Sequence, residues 1–523
     1  MSAQNRPTDS LTLHAMAQAD KIALIDDRPG QPVRRWTFAE LNADANRLGN
    51  ALLRIGIRPG EKIVWCGLNA PGVVRIMHAA RKIGATAVPL NYRLTPEEAA
   101  YVVDNCDAVL VYVDSEHQSL FEAIRGSLTK VKHFVVFEGP PAAGFTGVDQ
   151  LVADAPASEP GLDEGAVAGG TMIYTSGTTG RPKGAVRDSA GNPEQVLRFI
   201  MEIGYNPADV YLSTGPLYHS GPGGFMTLAH AIGNTVVLQR KFDPEDWLRL
   251  VAEHRVTTTF SAPTPIRLVC NLSDQVKQKY DRSSMKRMIA NAAPWSFALK
   301  EMYLRDFPED SLWEVYGSTE LGVDTILRPE DQRRKPGSCG RPAPGVELAL
   351  FDEEGNEVTE PRVPGELYVR SGSVFNTYYK AQEKFDKGRR GNYHSVGDIA
   401  YRDEEGYYYI CDRKGDMIIS GGMNIYPAEI EAALEHHPRI VDVAVFGIPN
   451  EEWGESVHAV VVATPGEQVS EGDVVAFARE HLAGYKIPRS VSFVDEIPRT
   501  GSGKILKRVL REPFWKDKGS RVN

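Results

Sequence analysis

Residues 175–184 are the most informative stretch of this chain, and they read Thr175-Ser176-Gly177-Thr178-Thr179-Gly180-Arg181-Pro182-Lys183-Gly184. They follow the apolar run 170–174, so the pattern predicts a buried strand that opens into a loop. Glycines let backbone N–H groups approach an oxyanion, the hydroxyls add donors, and Lys183 adds a positive charge. The loop therefore predicts a phosphate site for a nucleoside triphosphate. An ordinary surface turn rich in Gly, Ser and Thr is the alternative that this stretch alone leaves open.

Two common phosphate loops are excluded by residue identity. The Walker pattern requires G-x-x-x-x-G-K-[ST], whereas Lys183 stands between Pro182 and Gly184. A dinucleotide-type G-x-G-x-x-G beginning at Gly501 fails because Leu506 occupies the place of its last glycine. The loop at 175–184 must therefore belong to another class of nucleotide-binding protein.

Three further segments identify that class. Residues 316–320 read Tyr-Gly-Ser-Thr-Glu after an apolar run, residues 412–422 read Asp-Arg-Lys-Gly-Asp-Met-Ile-Ile-Ser-Gly-Gly, and residues 498–504 read Pro-Arg-Thr-Gly-Ser-Gly-Lys. In this order and spacing the four segments resemble the adenylate-forming superfamily of acyl-CoA synthetases, luciferases and peptide-synthetase adenylation domains. The resemblance extends from about Thr37 to Arg511, nearly the whole chain. Any one segment alone would be a weak signal, but four in register are specific.

Length, charge and cysteine content limit the class of protein and its cellular compartment. The chain has 523 residues, a length that predicts at least two domains. Its net charge of −10 argues against a nucleic-acid partner. Its five cysteines include no C-x-x-C pair, and the first residues carry no secretory signal, so we expect a cytoplasmic protein. No apolar run is long enough for an integral membrane segment. The sequence leaves open peripheral membrane contact and whether the protein is a homodimer.

Hydrophobic patterning predicts an α/β fold. Strand-like and helix-like runs alternate from Lys62 to Val113, which indicates a layered, mostly parallel sheet with helices on both faces. Hairpin patterns at 346–369 and 402–410 predict a β subdomain, followed by a small mobile α+β C-terminal domain. We expect an AMP-binding and acyl-binding domain over residues 1–411, a hinge over 412–416, and a C-terminal domain carrying the catalytic lysine over 417–523.

The resemblance implies a two-step ligase reaction. A carboxylic acid reacts with ATP in the presence of Mg²⁺ to give an acyl-AMP and pyrophosphate, and CoA then displaces AMP. The first step concentrates negative charge on phosphates, so cations and N–H donors are needed at fixed places. By resemblance, Lys504 bridges the carboxylate and the α-phosphate, Thr319 donates to phosphate, and Glu320 holds Mg²⁺, which prefers carboxylate oxygen. His219 contacts the carboxylate of the acid or gates its pocket.

The resemblance also distributes the nucleotide over several motifs. The β- and γ-phosphates are assigned to Thr175, Ser176, Gly177, Thr178, Thr179, Gly180 and Lys183. The adenine slot, with Tyr316 stacking on the base, is assigned to Asn291, Ala292, Ala293, Pro294, Glu314, Val315, Tyr316 and Gly317. Asp398 is assigned to the ribose hydroxyls, with Arg413 nearby. After a rotation of the small domain, Gly421 and Gly422 would wall a narrow tunnel for the pantetheine arm of CoA.

The chain departs from the family pattern in four places. Gly415 stands where a Lys or Asp is usual at the hinge, and Val396 precedes Gly-Asp where Thr is usual. Asn291 replaces the first glycine of the adenine segment, and residues 185–189 lack the usual His. None of these changes removes a group assigned to catalysis, so we expect activity.

The segment 216–225 is assigned to the acyl pocket. From Pro216 to His230 there is no Asp or Glu, which disfavours amino-acid substrates because their ammonium group needs an acidic partner. Gly223 and Gly224 leave room beside apolar side chains, so we expect a medium-chain, long-chain or bulky apolar carboxylic acid. Two alternatives stay open: an acyl-AMP synthetase that loads a carrier protein, and a non-catalytic nucleotide-binding protein of the same fold.

Overall fold

The chain forms four β-sheets with helices packed on their faces. The computed structural model describes residues 9–161, 169–175, 181–187, 192–293, 295–421, 423–499 and 504–516. The strands are β1 Ile22–Asp26, β2 Arg34–Thr37, β3 Lys62–Cys66, β4 Thr86–Leu90, β5 Ala108–Val113, β6 His133–Val136, β7 Thr146–Gly147, β8 Thr171–Thr175, β9 Lys183–Arg187, β10 Val210–Ser213, β11 Thr235–Leu238, β12 Thr258–Ser261, β13 Arg287–Ala290, β14 Leu312–Ser318, β15 Gly322–Leu327, β16 Arg341–Pro342, β17 Glu347–Phe351, β18 Gly365–Arg370, β19 Thr377–Tyr378, β20 Arg389–Arg390, β21 Tyr393–His394, β22 Asp398–Arg402, β23 Tyr408–Arg413, β24 Ile418–Ser420, β25 Met423–Ile425, β26 Ile440–Asn450, β27 Gly454–Ala463 and β28 Ser490–Phe493.

The helices cover the sheets and connect their parallel strands. They are α1 Ser10–Ala17, α2 Phe38–Arg54, α3 Pro71–Lys82, α4 Pro96–Asn105, α5 Gln118–Ile124, α6 Val148–Val152, α7 Pro193–Ile203, α8 Ser220–Ile232, α9 Pro244–Glu253, α10 Pro263–Cys270, α11 Asp274–Lys277, α12 Phe297–Asp306, α13 Gln382–Lys387, α14 Pro427–Leu434, α15 Glu471–His481 and α16 Lys507–Trp515. None of the described helices combines the length and apolarity needed to cross a membrane.

Two large sheets form the first unit. One has the order β16-β15-β14-β13-β12-β10-β11-β1-β2, and the other has the order β19-β9-β8-β4-β3-β5-β6-β7. Their central strands are parallel, and antiparallel strands lie at the edges, such as β15 beside β14 and β9 beside β8. Helices α2, α3 and α8 pack between the sheets, and their apolar side chains share one buried core. The predicted fold class is confirmed.

Two smaller sheets follow. Strands β17, β18 and β20–β23 form an antiparallel sheet that contains both predicted hairpins. The chain then changes sheet between Arg413 and Ile418, and β24–β28 form the sheet of the C-terminal unit. In this unit α14 ends at Leu434, and β26 is a long strand that ends at Asn450. Strand β26 extends because its pairing with β27 continues from Ile440 to Asn450.

A buried polar chain ties α1 to the helices between the sheets. The Nδ1 atom of His78 lies 3.0 Å from Oδ1 of Asp9, and its Nε2 atom lies 3.1 Å from Nδ1 of His230. Nε2 of His230 donates to the carbonyl of Ala23 at 3.1 Å, so its Nδ1 accepts. Both nitrogens of His78 are therefore placed to donate, one to His230 and one to the Asp9 carboxylate. The network joins α3 to α8, the helix that begins next to His219.

Replacing His230 by glutamine should reduce the loss of stability that accompanies a fall in pH. Burial lowers the pKa of His230 to about 3, whereas an exposed histidine titrates near ~6.5. Because the unfolded chain takes up the proton first, this group's contribution to stability is complete above the unfolded pKa and is lost as the pH falls towards 3. We expect the wild-type Tm, followed by scanning calorimetry from about pH 7 to about pH 5, to fall more steeply than that of His230→Gln.

His436→Gln provides the matched control, because it makes the same substitution at an exposed position. Equal slopes for His230→Gln and the wild type would contradict the assignment of a neutral, buried His230.

Candidate active site

One cleft of about 3310 Å³ collects most of the predicted site residues that the structure describes. Its walls are built where strands of the large sheets end: Thr175 closes β8, Asn291 follows β13, and Thr319 follows β14. Carboxyl ends of parallel strands are the usual place for a ligand in a layered α/β sheet. The C-terminal unit contributes Lys504 to the same cleft, so the site is assembled from both parts of the chain.

The Glu320 carboxylate is fixed by two hydroxyl groups. Its Oε1 atom accepts from Oγ1 of Thr175 at 2.9 Å and from the phenol of Tyr378 at 3.0 Å. The main chain of Glu320 is also held, because its carbonyl accepts from the N–H of Phe375 at 2.7 Å. Glu320 is buried except where it faces the cleft. Tyr378 lies outside the recognisable motifs, so it was not identified from the sequence.

Glu320 fits Mg²⁺ as one oxygen ligand among several that a substrate would bring. Within the described ranges no group of three or more His, Cys, Asp or Glu side chains is placed to hold a metal. Mg²⁺ commonly binds through one or two carboxylates together with phosphate oxygens and water. The donor set therefore suits a metal that arrives with a nucleotide rather than a permanently caged ion.

Thr319 is anchored to helix α8. Its Oγ1 atom donates to Oγ of Ser220, the first residue of α8, at 2.7 Å. Its carbonyl accepts from Nε of Arg187 at 2.9 Å, and Nη1 of the same guanidinium donates to the carbonyl of Ser373 at 2.5 Å. Arg187 lies in the stretch where the family's usual His is missing, and it ties β9 to the Thr319 loop.

Asp398 and Arg413 face each other across an antiparallel ladder. They are register partners on β22 and β23, and Nε of Arg413 lies 3.2 Å from Oδ1 of Asp398. The neighbouring Asp398 raises the pKa of Arg413, and the other carboxylate oxygen accepts from the hydroxyl of Tyr316 at 2.5 Å. The ion pair thus connects the nine-stranded sheet with the strand that leads into the C-terminal unit.

Lys504 is exposed within the cleft but crowded by protein charge. Loss of solvation, followed by repulsion from Arg413, lowers the pKa of its ammonium group, while Asp398 and Glu320 act in the opposite direction. The ammonium group thus faces the cleft near one guanidinium and two carboxylates. It is placed to interact strongly with a negatively charged substrate.

His219 precedes α8 and contributes an uncharged ring. Burial, with further repulsion from Lys504, lowers its pKa to about 4, so the imidazole is neutral near pH ~7. Its Nε2 atom is buried and has no hydrogen-bond partner among the residues that the structure describes. A neutral ring next to a cation can orient a carboxylate by hydrogen bonding without adding a second charge.

Only some of the residues predicted for the adenine slot line the cleft. Asn291, Ala292 and Gly317 line the cleft, whereas Ala293, Glu314, Val315 and Tyr316 do not. The Glu314 carboxylate is buried in an ion pair with Lys300, and Val315 lies in the core. At Gly317 a Cβ would lie 1.9 Å from the carbonyl of Gly322, so only glycine fits. The wall is made largely by main chain, and Asn291 supports it by donating to the carbonyl of Val315 at 2.5 Å.

Several predicted residues fall elsewhere. Ser176, Gly177, Thr178, Thr179, Gly180, Pro294 and Gly422 lie outside the described residues. Thr175 and Lys183, which flank the phosphate loop, both line the cleft and are register partners on β8 and β9. Gly421 does not line it: a Cβ there would lie 2.5 Å from Cε3 of Trp453, and its N–H donates to the Trp453 carbonyl at 2.8 Å.

An aromatic wall closes one end of the cleft. The rings of Phe225 and Phe260 stack at 4.9 Å, and Phe199 meets Phe225 edge to face at 6.2 Å. Gly221 fits beneath Phe260, because a Cβ there would lie 2.3 Å from Cζ of the ring. A Cβ at Gly224 would meet nothing within 4 Å. Phe199 and Phe260 come from distant segments, so the sequence alone could not bring them together.

Comparison with known proteins agrees with this arrangement. The model of the AMP-binding enzyme family matches residues 11–379, and that of the AMP-binding enzyme C-terminal domain matches residues 429–504. An indoleacetate–CoA ligase of Aromatoleum aromaticum is 33% identical over 488 residues, covering 92% of this chain and 94% of the relative. A long-chain-fatty-acid–CoA ligase of Mycobacterium tuberculosis is 33% identical, with 92% and 93% covered.

A solved structure is similar over the same length. The anthranilate CoA ligase AuaEII, crystallised with anthranoyl-AMP, superposes with a TM-score of 0.87 at 27% identity, over 98% of this chain and 99% of that one. Motifs, fold, family models and relatives agree, and this chain therefore belongs to the AMP-binding enzyme family of adenylate-forming proteins.

Proposed function

We propose that this protein is an ATP-dependent acyl-CoA synthetase for a bulky apolar carboxylic acid, a class that includes aromatic as well as medium- and long-chain acids. The observation that carries the proposal is the position of Lys504. It enters, from the C-terminal unit, the cleft that Lys183, Thr319 and Glu320 line from the N-terminal unit. An ammonium group at this place, close to Arg413, matches a reaction in which negative charge accumulates on the transferring phosphate.

In the first half-reaction an oxygen of the acid attacks the α-phosphorus of ATP. The bond from that phosphorus to the bridging oxygen breaks, the electron pair leaves with pyrophosphate, and an acyl-AMP remains. The Asp398 carboxylate, which pairs with Arg413, would accept from ribose hydroxyls. Neutral His219 orients the acid, and Lys504 balances the charge between the carboxylate and the α-phosphate.

Glu320 would hold Mg²⁺ together with phosphate oxygens. When bound, the metal neutralises charge on the β- and γ-phosphates. The protein's own contribution is to fix the carboxylate, which the hydroxyls of Thr175 and Tyr378 do through one oxygen. The second half-reaction then needs a thiol: the sulfur of CoA attacks the acyl carbon, and AMP leaves.

Two arrangements of the C-terminal domain would separate the half-reactions. We infer an N-terminal domain over 1–411, a hinge over 412–416 and a C-terminal domain over 417–523. In the described arrangement Lys504 faces the cleft, while Gly421 is packed against Trp453 outside it. Gly415 provides freedom at the hinge, and the adjacent Lys414 pairs with Glu366 at 3.0 Å, a contact that favours the described arrangement.

The acid is inferred from the pocket wall. Phe199, Phe225 and Phe260 present ring surfaces, and the open space at Gly224 leaves room for a wide substituent. Aromatic rings pack well against one another by offset or edge contacts. Relatives of this chain act on acids of both kinds, since one is named for indoleacetate and another for long-chain fatty acids. The three-ring wall favours an aryl or arylalkyl acid among the bulky apolar acids.

A product assay tests the proposal directly. The enzyme is incubated with ATP, Mg²⁺ and each of a panel of aryl, arylalkyl and fatty acids, with and without CoA, and AMP and acyl-CoA are quantified by mass spectrometry. We expect acyl-CoA and stoichiometric AMP only when CoA and an apolar acid are both present. Acyl-AMP that is consumed by a phosphopantetheinylated carrier protein but not by CoA would favour the carrier-loading alternative. Absence of acyl-AMP with every acid would refute the proposal.

Replacing Lys504 by alanine should separate the two half-reactions. Adenylation should fall by about a hundredfold or more, because the transition state loses a preorganised charge. Conversion of supplied acyl-AMP and CoA to acyl-CoA should continue near the wild-type rate. Lys486→Ala is the control, because that lysine pairs with Glu429 at 2.5 Å on the C-terminal unit away from the cleft wall. Equal losses in both half-reactions would contradict the division of labour.

Replacing Gly224 by leucine should shift the substrate range. The new side chain would occupy the open space beside Phe225 and would exclude wide acids, while helix α8 tolerates leucine well. We expect kcat/KM for aryl acids to fall at least about tenfold and that for short acids to change little. Gly224→Ala serves as the control with a smaller expected effect. A uniform change across all acids would argue against Gly224 lining the acyl pocket.

A further inference from the structure

A second lysine, Lys384, lies beside Lys183, the lysine that follows the predicted phosphate loop. Lys384 belongs to none of the motifs recognised in the sequence. Strand β19 pairs antiparallel with β9, with Tyr378 opposite Ala185, and the N–H of Tyr379 donates to the carbonyl of Gly184 at 2.8 Å. With this register, the residues that follow Tyr378 run alongside Lys183, the first residue of β9. Helix α13 begins a few residues later and places Lys384 on the wall of the cleft next to Lys183.

The two ammonium groups repel each other. Burial, followed by the charge of Lys183, lowers the pKa of Lys384, and Arg413 adds to the effect while Glu320 opposes it. The ion pairs formed among the described residues include neither Lys183 nor Lys384. Two half-buried cations that face one cleft without a carboxylate at contact distance are stabilised by a polyvalent anion bound between them.

The aromatic ring of Tyr378 fixes the direction of Lys384. The ammonium nitrogen lies 5.4 Å from the centre of that ring, within the range of a cation–π contact. The hydroxyl of the same tyrosine donates to Oε1 of Glu320 at 3.0 Å. One side chain therefore positions both the proposed metal ligand and the second lysine, so the two act on the same part of a substrate.

We propose that Lys384 is a second cationic contact for the β- and γ-phosphates of ATP and hence for the pyrophosphate leaving group. This inference rests on the proposed function, because it concerns the same adenylation step. Lys384 forms no covalent bond; it balances charge that moves onto pyrophosphate as the bond from the α-phosphorus to the bridging oxygen breaks. A contact to pyrophosphate acts in both directions of the reaction, so it affects pyrophosphate use in reverse as well as ATP use forwards.

The test replaces Lys384 so that its positive charge is removed while most of its side-chain volume is kept. Lys384→Met retains a flexible apolar stem over Tyr378, and Lys384→Arg restores a cation. The wild type and both variants are assayed for synthesis of ATP from acyl-AMP and inorganic pyrophosphate, and for acyl-CoA formation from acyl-AMP and CoA. For Lys384→Met we expect KM for pyrophosphate to rise about tenfold or more, as for the loss of one charge-assisted contact, with partial recovery in Lys384→Arg. Acyl-CoA formation and KM for the acid should stay unchanged.

Arg389→Ala is the matched control, because it removes an exposed cation close by in the chain that does not line the cleft. An unchanged KM for pyrophosphate in Lys384→Met would overturn the proposal, and so would equal losses in both half-reactions with a lowered Tm, which would reveal a structural role. A wild-type enzyme that makes no ATP from any acyl-AMP and pyrophosphate would instead refute the proposed function itself.

Discussion

Mutual repulsion among cations in one cleft is the constraint on which the rest of this structure depends. The positively charged side chains that line it include Lys183, Lys384, Arg413 and Lys504. Of these, Arg413 pairs with Asp398, whose Oδ1 atom lies 3.2 Å from its Nε. Positive charge with reduced hydration is unfavourable by itself and favourable around a polyphosphate. The repulsion among these cations therefore favours binding of the phosphates of a nucleotide in the cleft.

The fold provides the rigid supports for these charges. Strand ends of two large sheets fix Thr175, Asn291 and Thr319, and the buried core between the sheets limits their movement. The fourth cation is different, because Lys504 belongs to the C-terminal unit that follows the change of sheet after Arg413. If the C-terminal unit moves as we propose, the cleft holds all of these charges only in the arrangement described here. This dependence gives a physical reason why adenylation and thiol transfer would use different arrangements of the same domains.

Much of this architecture was accessible from the sequence, because it is encoded locally. The alternation of apolar runs predicted the parallel sheets, and the hairpins around 352–355 and 403–406 followed from turn residues between strand-like segments. Four motifs led to the family, and Lys183, Glu320 and Lys504 do lie in one cleft.

The contacts that the sequence could not supply are those between distant segments. Tyr378 reaches Glu320, Arg187 reaches Thr319, and Phe199 meets Phe225, each through pairing or packing of elements far apart in the chain. Glu314 shows the opposite case: it belongs to a matching motif, but its carboxylate turns away into an ion pair with Lys300. A motif fixes the path of the main chain, whereas the direction of each side chain depends on the neighbours it meets.

Isotope exchange between pyrophosphate and ATP tests the central claim most directly, because it reports formation of the acyl-AMP independently of the thiol. With radiolabelled pyrophosphate, ATP, Mg²⁺ and no CoA, label should enter ATP only when an apolar carboxylic acid is present. Exchange that proceeds without any acid, or that fails with every acid of a broad aryl and fatty panel, would contradict the account.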